Sequence, residues 1–277
     1  MSSINRRDFL AGASAILTTG AIARPVRSLL STRDAEPLFI PTAADYVMDG
    51  LIAMWDGIEN AGWGVQDTES TSWMELVSGS PCVLSGSFGS DFWWDKDGYV
   101  KNNRQHGTFV FDLTEFLEES ARAASFSVEV VNSNPTQGDS WQAQTINICS
   151  AAQLGMYNYA ITARYRRMSD GYTAAPTGNT WTYICGNNYL IGSRESLNTD
   201  TLVYDSKYAW TYSSGYLSGN AQAVTPSPAI EGVYVRLGSS NYSFCGRYHC
   251  LRIYNRPLTP NEVHHNALID RLRFNLP

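Results

Sequence analysis

The feature that most constrains the fold of this chain is a regular alternation of apolar and polar side chains. In the segment SFSVEVV, Phe126, Val128 and Val130 lie on one side of an extended chain, while Ser127 and Glu129 lie on the other. Successive side chains of a strand point to opposite faces, so this period of two predicts a half-buried β-strand.

Seven further segments, rich in Val, Ile, Thr and Tyr, lie between turn signals of Gly, Asn and Ser. They are LIAMWDG, GTFVFDL, TINICSA, YAITARYR, TWTYICGN, YAWTYSSG and GVYVRLGS. With 43% hydrophobic residues, the chain has enough apolar material for a substantial core. The strands predict an all-β fold, a two-sheet antiparallel jelly-roll sandwich that forms one domain over residues 45–277.

Two segments depart from the strand pattern and predict helices. Residues 112–124 begin with Asp-x-x-Glu, a capping arrangement that predicts one short internal helix. The C-terminal helix begins at Thr259, which forms a capping box with Glu262, and a proline occupies its first helical position. Helical spacing predicts that its buried face consists of Val263, Ala267, Leu268 and Leu272.

The N-terminus has the layout of an export signal. Arg6-Arg7 followed by Phe9-Leu10 resembles the twin-arginine pattern, and the next apolar run is shorter than the roughly 20 residues of a membrane span. The alternative is an ordinary secretory segment with a basic head. An A-x-A site ends at residue 23, so we expect a signal over residues 1–23 and a linker over residues 24–44. The mature chain is then secreted or surface-associated and has no membrane span.

Charge and cysteine content exclude some classes of function. The net charge is -6, and basic residues cluster only in the signal and in Arg164-Tyr-Arg166-Arg167, so we expect no nucleic-acid partner. An odd number of cysteines leaves at least one thiol free or paired between chains, and they are too sparse for a disulfide scaffold. The five are Cys82, Cys149, Cys185, Cys245 and Cys250.

Three segments are similar to one known family. They are Phe244-x-Gly246 followed by Arg252-Ile-Tyr-Asn-Arg-x-Leu-Thr-x-x-Glu262-Val, then DGLIAMWDGIEN from Asp49, and Trp73-x-Glu-Leu-Val. They resemble the ends of bacterial laminin-G-like domains, a group within the concanavalin A-like lectin/glucanase superfamily. The resemblance implies a jelly-roll sandwich over the whole predicted domain. It implies no single activity, because members include glycan binders, adhesive modules, spacers and, in other branches, hydrolases.

The sequence gives little indication of catalysis. Hydrolases of this superfamily carry Glu-x-Asp-x-x-Glu or a similar cluster on one strand, where two carboxyl groups flank a glycosidic bond. Glu129 stands alone in its strand, and Glu115, Glu118 and Glu119 fit the solvated face of the predicted internal helix. Glu262 already has a capping role, so we interpret the C-terminal stretch as a structural junction. Carboxylates distant in sequence could still meet in a groove.

Aromatic residues are the main indication of a ligand. Trp93, Trp94 and Tyr99 crowd one loop-like segment, and sugars stack their C–H faces on such rings. Because Trp93 and Trp94 are adjacent, an extended chain exposes at least one of them. Polar groups for sugar hydroxyls are Asp91, Asp95 and Asn220. A second group contains Tyr208, Trp210, Tyr212 and Tyr216, and the shared parity of its first three members favours a place in the core.

A calcium ion is the one cofactor that the sequence suggests. Asp95 and Asp97 precede Gly98 in an Asp-x-Asp-Gly turn that can supply oxygen ligands. An EF-hand register fails, since Trp93 stands where an acid is needed. The leading hypothesis is a non-catalytic lectin-like domain that binds carbohydrate or another surface ligand. The alternatives are a structural or adhesive module that meets another protein, and a glycoside hydrolase with dispersed acids.

Overall fold

The computed structural model describes residues 40–101, 109–112, 125–133, 143–150, 161–165, 179–182, 188–190, 198–205, 207–217, 220–223, 233–237 and 246–276. The compact unit to which they belong begins at Ile40. The expected signal lies outside the described residues. So does the expected internal helix, apart from Asp112, which ends a strand.

The described part of the chain is mostly β-structure. In chain order the strands are Leu51–Asp56 (β1), Ser72–Met74 (β2), Pro81–Val83 (β3), Phe92–Asp95 (β4), Gly98–Lys101 (β5), Val110–Asp112 (β6), Phe126–Ser133 (β7), Ala143–Ser150 (β8), Ile161–Tyr165 (β9), Asn179–Thr182 (β10), Asn188–Leu190 (β11), Asn198–Tyr204 (β12), Tyr208–Ser213 (β13), Tyr216–Leu217 (β14), Gln222–Ala223 (β15), Val233–Leu237 (β16) and Gly246–Tyr254 (β17). A 3-10 turn spans Ala43–Asp45, and helix α1 spans Pro260–Phe274. Each of the eight segments predicted from the sequence contains a strand.

Within the described residues, the strands form two main sheets and one hairpin. The larger sheet has nine strands in the order β14-β13-β12-β7-β17-β5-β4, with β1 beside β17 and β15 beside β13. The smaller sheet has the order β11-β10-β9-β8-β16-β6, and β2 pairs with β3. The paired strands within these sheets run antiparallel. The predicted all-β sandwich is therefore confirmed, while its jelly-roll connectivity remains a prediction.

The core between the sheets follows from the alternation in the strands. Val128 and Val130 of β7 point inward with Leu202 of β12, and Val235 of β16 meets them from the smaller sheet. Trp55 stacks on Phe109 at a ring distance of 5.2 Å. A second apolar layer lies on the opposite face of the larger sheet, beneath helix α1.

The junction from strand β17 to helix α1 contains the predicted capping box. Thr259 accepts a hydrogen bond from the backbone N–H of Glu262, and the Glu262 carboxylate accepts one from the backbone N–H of Thr259. Arg256 donates two hydrogen bonds to the same carboxylate, which together with the cap holds the pKa of Glu262 at about 2. Glu262 thus fixes the start of the helix.

The buried face of α1 differs from the predicted one. Val263 and Ala267 are buried as expected, but Leu268 and Leu272 are 42% and 60% exposed. Asn266 and Asp270 take their places against the sheet, together with Ile269 and Phe274. The prediction was wrong because the surface below the helix is partly polar, so the buried side of α1 cannot be recognised from apolar spacing.

An ion network causes this polarity. Arg252 of β17 donates from Nε to Glu129 at 2.8 Å and from both Nη atoms to Asp270 at 2.8 and 2.7 Å. Tyr46 donates its hydroxyl to Asp270, and its ring lies 4.0 Å from the Arg252 guanidinium. Asn266 donates to Glu129 at 2.7 Å. The network joins the sheet, α1 and the segment that precedes β1.

Candidate functional site

The predicted aromatic pair lies in strand β4 rather than in a loop. Strand β4 forms an edge of the larger sheet, and a turn at Asp97 joins it to β5. Alternation places the two tryptophans on opposite faces, as the sequence predicts for an extended chain. Trp94 is buried in the core, and Trp93 is half-buried on the outer face of the sheet. Of this pair, only Trp93 turns its ring toward the outside of the sheet.

Tyr99 and Trp94 belong to the interior and not to an exposed platform. Tyr99 is fully buried and lies within 5.3 Å of the Trp94 ring and 5.5 Å of the Trp73 ring. The indole N–H of Trp94 donates to the backbone carbonyl of Ser70 at 2.7 Å. The expectation that these two side chains contact a ligand is therefore wrong, because antiparallel pairing turns both toward the core.

The register of three strands brings Trp93 close to a residue that the sequence did not single out. Trp93 of β4 pairs with Val100 of β5, and Val100 pairs with Arg247 of β17. The three side chains thus form a row across the outer face. Directly opposite residues of neighbouring strands lie about 5 Å apart, so Trp93 and Arg247 flank Val100 at about 10 Å from each other.

Arg247 bends from this row toward the β4–β5 turn. A Cβ at Gly98 would lie 2.8 Å from Arg247 Cγ, so the glycine gives the arginine its path across β5. The guanidinium then donates a hydrogen bond to Asp95, which pairs with Gly98. We name Trp93, Asp95, Val100 and Arg247 the Trp93 patch. It combines an aromatic face with a fixed donor–acceptor pair.

Asp91 and Asn220, the other predicted polar residues, lie outside the Trp93 patch. Asp91 precedes β4, and its carboxylate accepts a hydrogen bond from the backbone N–H of Ser87, which orders the preceding turn. Asn220 lies between β14 and β15, at the opposite edge of the larger sheet. Six strand-to-strand steps of about 4.8 Å separate these edges, so Asn220 is about 29 Å from Trp93.

One of the two expected calcium ligands is paired with a cation of the protein itself. Asp95 forms an ion pair with Arg247, and Asp97 Oδ1 lies 3.8 Å from the same guanidinium but accepts no hydrogen bond. No group of three or more His, Cys, Asp or Glu side chains is placed to hold a metal ion in the described part of the chain. Calcium binding by Asp95 and Asp97 therefore stays a prediction.

A buried histidine supports the turn from below. His249 is the extra residue of a bulge in β17, where the pairing with β7 shifts between Tyr248 and Cys250. Its Nδ1 lies 3.0 Å from the backbone carbonyl of Asp97, and its ring lies 5.2 Å from that of Phe274 in α1. Burial lowers the pKa of His249 to about 4, so the ring is neutral at pH 7.

One pair of acids that meets in space, among the described residues, lies away from solvent. Glu129 and Asp270 share Arg252, and all three side chains have no exposed surface. Burial raises the pKa of Glu129, while the guanidinium opposes this shift. A glycosidase needs two carboxyl groups on either side of a groove that admits substrate. This pair is positioned as part of the core and contacts no open surface.

Asp200 of β12 is a second kind of buried acid, in which burial is the dominant influence on the pKa. Its side chain has no exposed surface, and burial raises the pKa well above the usual value, although the neighbouring Asn132 side chain opposes the shift. Asn132 itself is 5% exposed. The charged form of Asp200 is therefore costly in the folded protein.

We expect Asp200→Asn to stabilise the protein at pH 7. The folded-state pKa lies above the unfolded value, so stability that is present below the unfolded pKa is lost as pH rises. An amide keeps its hydrogen-bonding groups without charge, and we expect a gain of about 1–3 kcal/mol. Urea unfolding at pH 7 and pH 4 measures it. The gain should shrink at pH 4, and an equal gain at both pH values contradicts the explanation.

The second aromatic group is more exposed than the sequence predicts. Tyr212 is buried, but beneath α1 rather than between the sheets, and Trp210 packs on the same layer. Tyr208 is 45% exposed, and Tyr216 is 62% exposed with its ring 5.4 Å from that of His264. The predicted place in the core is confirmed for Tyr212, and Trp210 packs against the same apolar layer, but Tyr208 is exposed. Their shared parity places all three on the outer face of the sheet rather than between the sheets.

Membrane insertion through a helix has no candidate in the described residues, because none of their helices is both long and apolar enough.

The described thiols are inert. Cys82 and Cys250 are buried and free, and burial raises the pKa of Cys82 to about 11. A thiol held protonated in this way is a poor nucleophile and a poor metal ligand.

Comparisons with known proteins concern the fold. No protein-family model and no curated protein sequence matches this chain. Trypanosoma rangeli sialidase matches with a TM-score of 0.57 and 14% identity over 84% of this chain and 34% of the sialidase. The same sialidase in complex with sialic acid matches with a TM-score of 0.53 and 12% identity over the same shares. The chain thus spans about a third of the sialidase's length, and the likeness is compatible with an all-β fold.

Proposed function

We propose that this chain is an exported, lectin-like protein that binds carbohydrate on a cell surface or in a secreted matrix through the Trp93 patch. One observation carries the proposal. Trp93, Asp95 and Arg247 share the outer face of one sheet edge, where the Asp95–Arg247 ion pair is partly exposed. Export rests on the resemblance of the N-terminus to a twin-arginine signal.

The chemistry of the patch suits a sugar. The ring of Trp93 offers an apolar face to sugar C–H groups, and the Asp95 carboxylate accepts hydrogen bonds from hydroxyl groups. Arg247 donates to hydroxyl or carboxylate oxygens. Because Arg247 and Asp95 hold each other, neither side chain needs much ordering when a ligand binds, which reduces the entropic loss.

We expect the chain, produced without its first 39 residues, to bind at least one glycan on an array of neutral and sialylated oligosaccharides. Sialylated glycans are included because the sialidase of similar fold is known in complex with sialic acid. Trp93→Ala should lower the affinity about tenfold, since one aromatic contact contributes about 1.4 kcal/mol. Calorimetric titration with the glycan that binds best measures the change.

Trp63→Ala is the matched control for this experiment. Trp63 is 42% exposed, and its indole N–H donates to the backbone carbonyl of Leu76, but it lies outside the Trp93 patch. Its removal should leave glycan affinity unchanged. The proposal fails if no glycan binds, or if Trp93→Ala and Trp63→Ala have the same effect.

An adhesive function has one observation in its favour. Leu217, Leu268 and Leu272 are exposed on β14 and α1, on the side of the sheet that α1 covers. Exposed aliphatic side chains of this kind are typical of protein contacts. If the array shows no binding while Leu268→Asp and Leu272→Asp abolish attachment of the protein to cells, this second function replaces the first.

A further inference from the structure

We infer that the opposite edge of the larger sheet holds a second carbohydrate-binding surface, built from Tyr208, Trp210 and Asn220, so that one chain binds two glycan segments at once. We name these three residues the Tyr208 edge. The inference rests on the proposed function, because it assigns the same class of ligand to a separate surface.

Two neighbouring rings form the base of the Tyr208 edge. Tyr208 and Trp210 alternate with the buried Ala209 in β13, so both point to the outer face, and their ring centroids lie 5.9 Å apart with a tilt of 51°. Trp210 is anchored against the apolar layer beneath α1, while Tyr208 is 45% exposed. The pair thus has one fixed ring and one ring open to solvent.

The backbone before Tyr208 is also fixed. The Asp205 carboxylate accepts hydrogen bonds from the backbone N–H groups of Lys207 and Tyr208, at 2.9 and 2.7 Å. The backbone N–H of Asp205 donates to the Tyr208 carbonyl at 3.1 Å. A turn held by three hydrogen bonds keeps the rings in place before a ligand arrives, which lowers the entropic loss on binding.

An exposed amide lies at the same edge of the sheet. Tyr212 pairs with Leu217 of β14, and Tyr208 pairs with Ala223 of β15. Asn220 lies between β14 and β15 in the chain, and its side chain is exposed. An amide has donors and an acceptor, so it can bond to sugar hydroxyl groups in either direction.

This combination suits a neutral sugar. Sugars combine C–H faces with closely spaced hydroxyl groups, which fits two rings and an amide at one sheet edge. The three residues carry no charge, unlike the Trp93 patch with its Asp95–Arg247 pair, so we expect a neutral ligand.

The distance between the two surfaces determines which ligands can contact both of them. Tyr208 and Trp210 on β13 lie five strand spacings of about 4.8 Å from β4, which is about 24 Å, so a short oligosaccharide occupies one surface only. A polysaccharide contacts both, and its second contact forms at a high effective concentration. The chain then holds long polymers more tightly than fragments.

Stoichiometry tests the inference. In calorimetric titrations with a neutral trisaccharide of the polymer that binds best, at concentrations where a site weakened tenfold gives no measurable heat, the unaltered protein should bind two molecules per chain. Tyr208→Ala and Trp93→Ala should each bind one, and the double variant none. Tyr208→Ala should also lower affinity for the polysaccharide at least tenfold, because the second contact is lost. Tyr216→Ala, which removes an exposed ring outside the Tyr208 edge, should change neither value.

The outcomes separate this inference from the proposed function. One molecule per chain that Trp93→Ala abolishes and Tyr208→Ala leaves unchanged overturns the second surface alone. Absence of binding in the unaltered protein overturns the proposed function. Asn220→Ala adds a test that a loss of folding cannot imitate: it should weaken one of the two binding events while the unfolding midpoint stays unchanged.

Discussion

Replacing Arg252 with methionine is expected to lower the free energy of unfolding by about 3–5 kcal/mol, the usual effect of breaking a buried ion pair from one side. Arg252 serves Glu129 and Asp270, and none of the three side chains has exposed surface. Methionine fills a similar volume but leaves two carboxyl groups buried without their cation. The midpoint of urea unfolding at pH 7 measures the loss.

Arg256→Met is the matched control, because it removes a similar pair at the surface. Arg256 also donates two hydrogen bonds to one carboxylate, at 3.0 and 2.7 Å, but its side chain is 25% exposed and that of Glu262 is 27% exposed. Partly exposed pairs contribute about 1 kcal/mol or less. Equal losses in the two variants would contradict a special role for the buried network.

A rescue variant separates lost charge from lost volume. In Arg252→Met combined with Glu129→Gln and Asp270→Asn, these three positions no longer carry a charge. A well-packed neutral core is often as stable as the ion pair that it replaces. We expect this triple variant to regain at least half of the loss. If it is less stable than Arg252→Met alone, the hydrogen bonds of the acids to Tyr46 and Asn266 matter more than the charge.

The same network shows why part of the fold could not be predicted from the sequence. The capping box at Thr259 and the alternation around Val128 are local patterns, so both are confirmed. The buried face of α1 depends on Arg252, whose partner Glu129 is 123 residues away in the chain. The spacing of apolar residues predicts that Leu268 is buried, because this spacing contains no information about the polar surface on which the helix packs.

The candidate site illustrates a similar limit. The adjacency of Trp93 and Trp94 predicts that they lie on opposite faces of an extended chain, and in the structure Trp93 lies half-buried on the outer face. Which ring faces outward depends on the pairing of β4 with β5. Arg247 could not be identified from the sequence, because its partner Asp95 is 152 residues distant and the bend over Gly98 exists only in the sheet.

Burial of His249 predicts a marked loss of stability in acid. Its pKa falls from 6.5 to about 4 in the folded protein, mainly through burial, while Asp97 opposes the shift and Arg247 adds to it. The unfolded chain therefore binds a proton between these pH values that the folded protein does not. Stability decreases as pH falls through this window, by about 3 kcal/mol in total, and the decrease is complete near pH 4.

His249→Gln is the variant that isolates this effect, because an amide does not titrate and can still donate to the Asp97 carbonyl. We expect it to be less stable than the unaltered protein at pH 7, through lost contact with Phe274, and to lose this disadvantage near pH 4.5. Urea midpoints at pH 7, 5.5 and 4.5 measure the difference, with His264→Gln as a half-buried histidine control in the same buffers. A constant difference between His249→Gln and the unaltered protein across this range would show that the buried ring does not remain neutral. Any loss of stability in acid would then have a cause other than the protonation of His249.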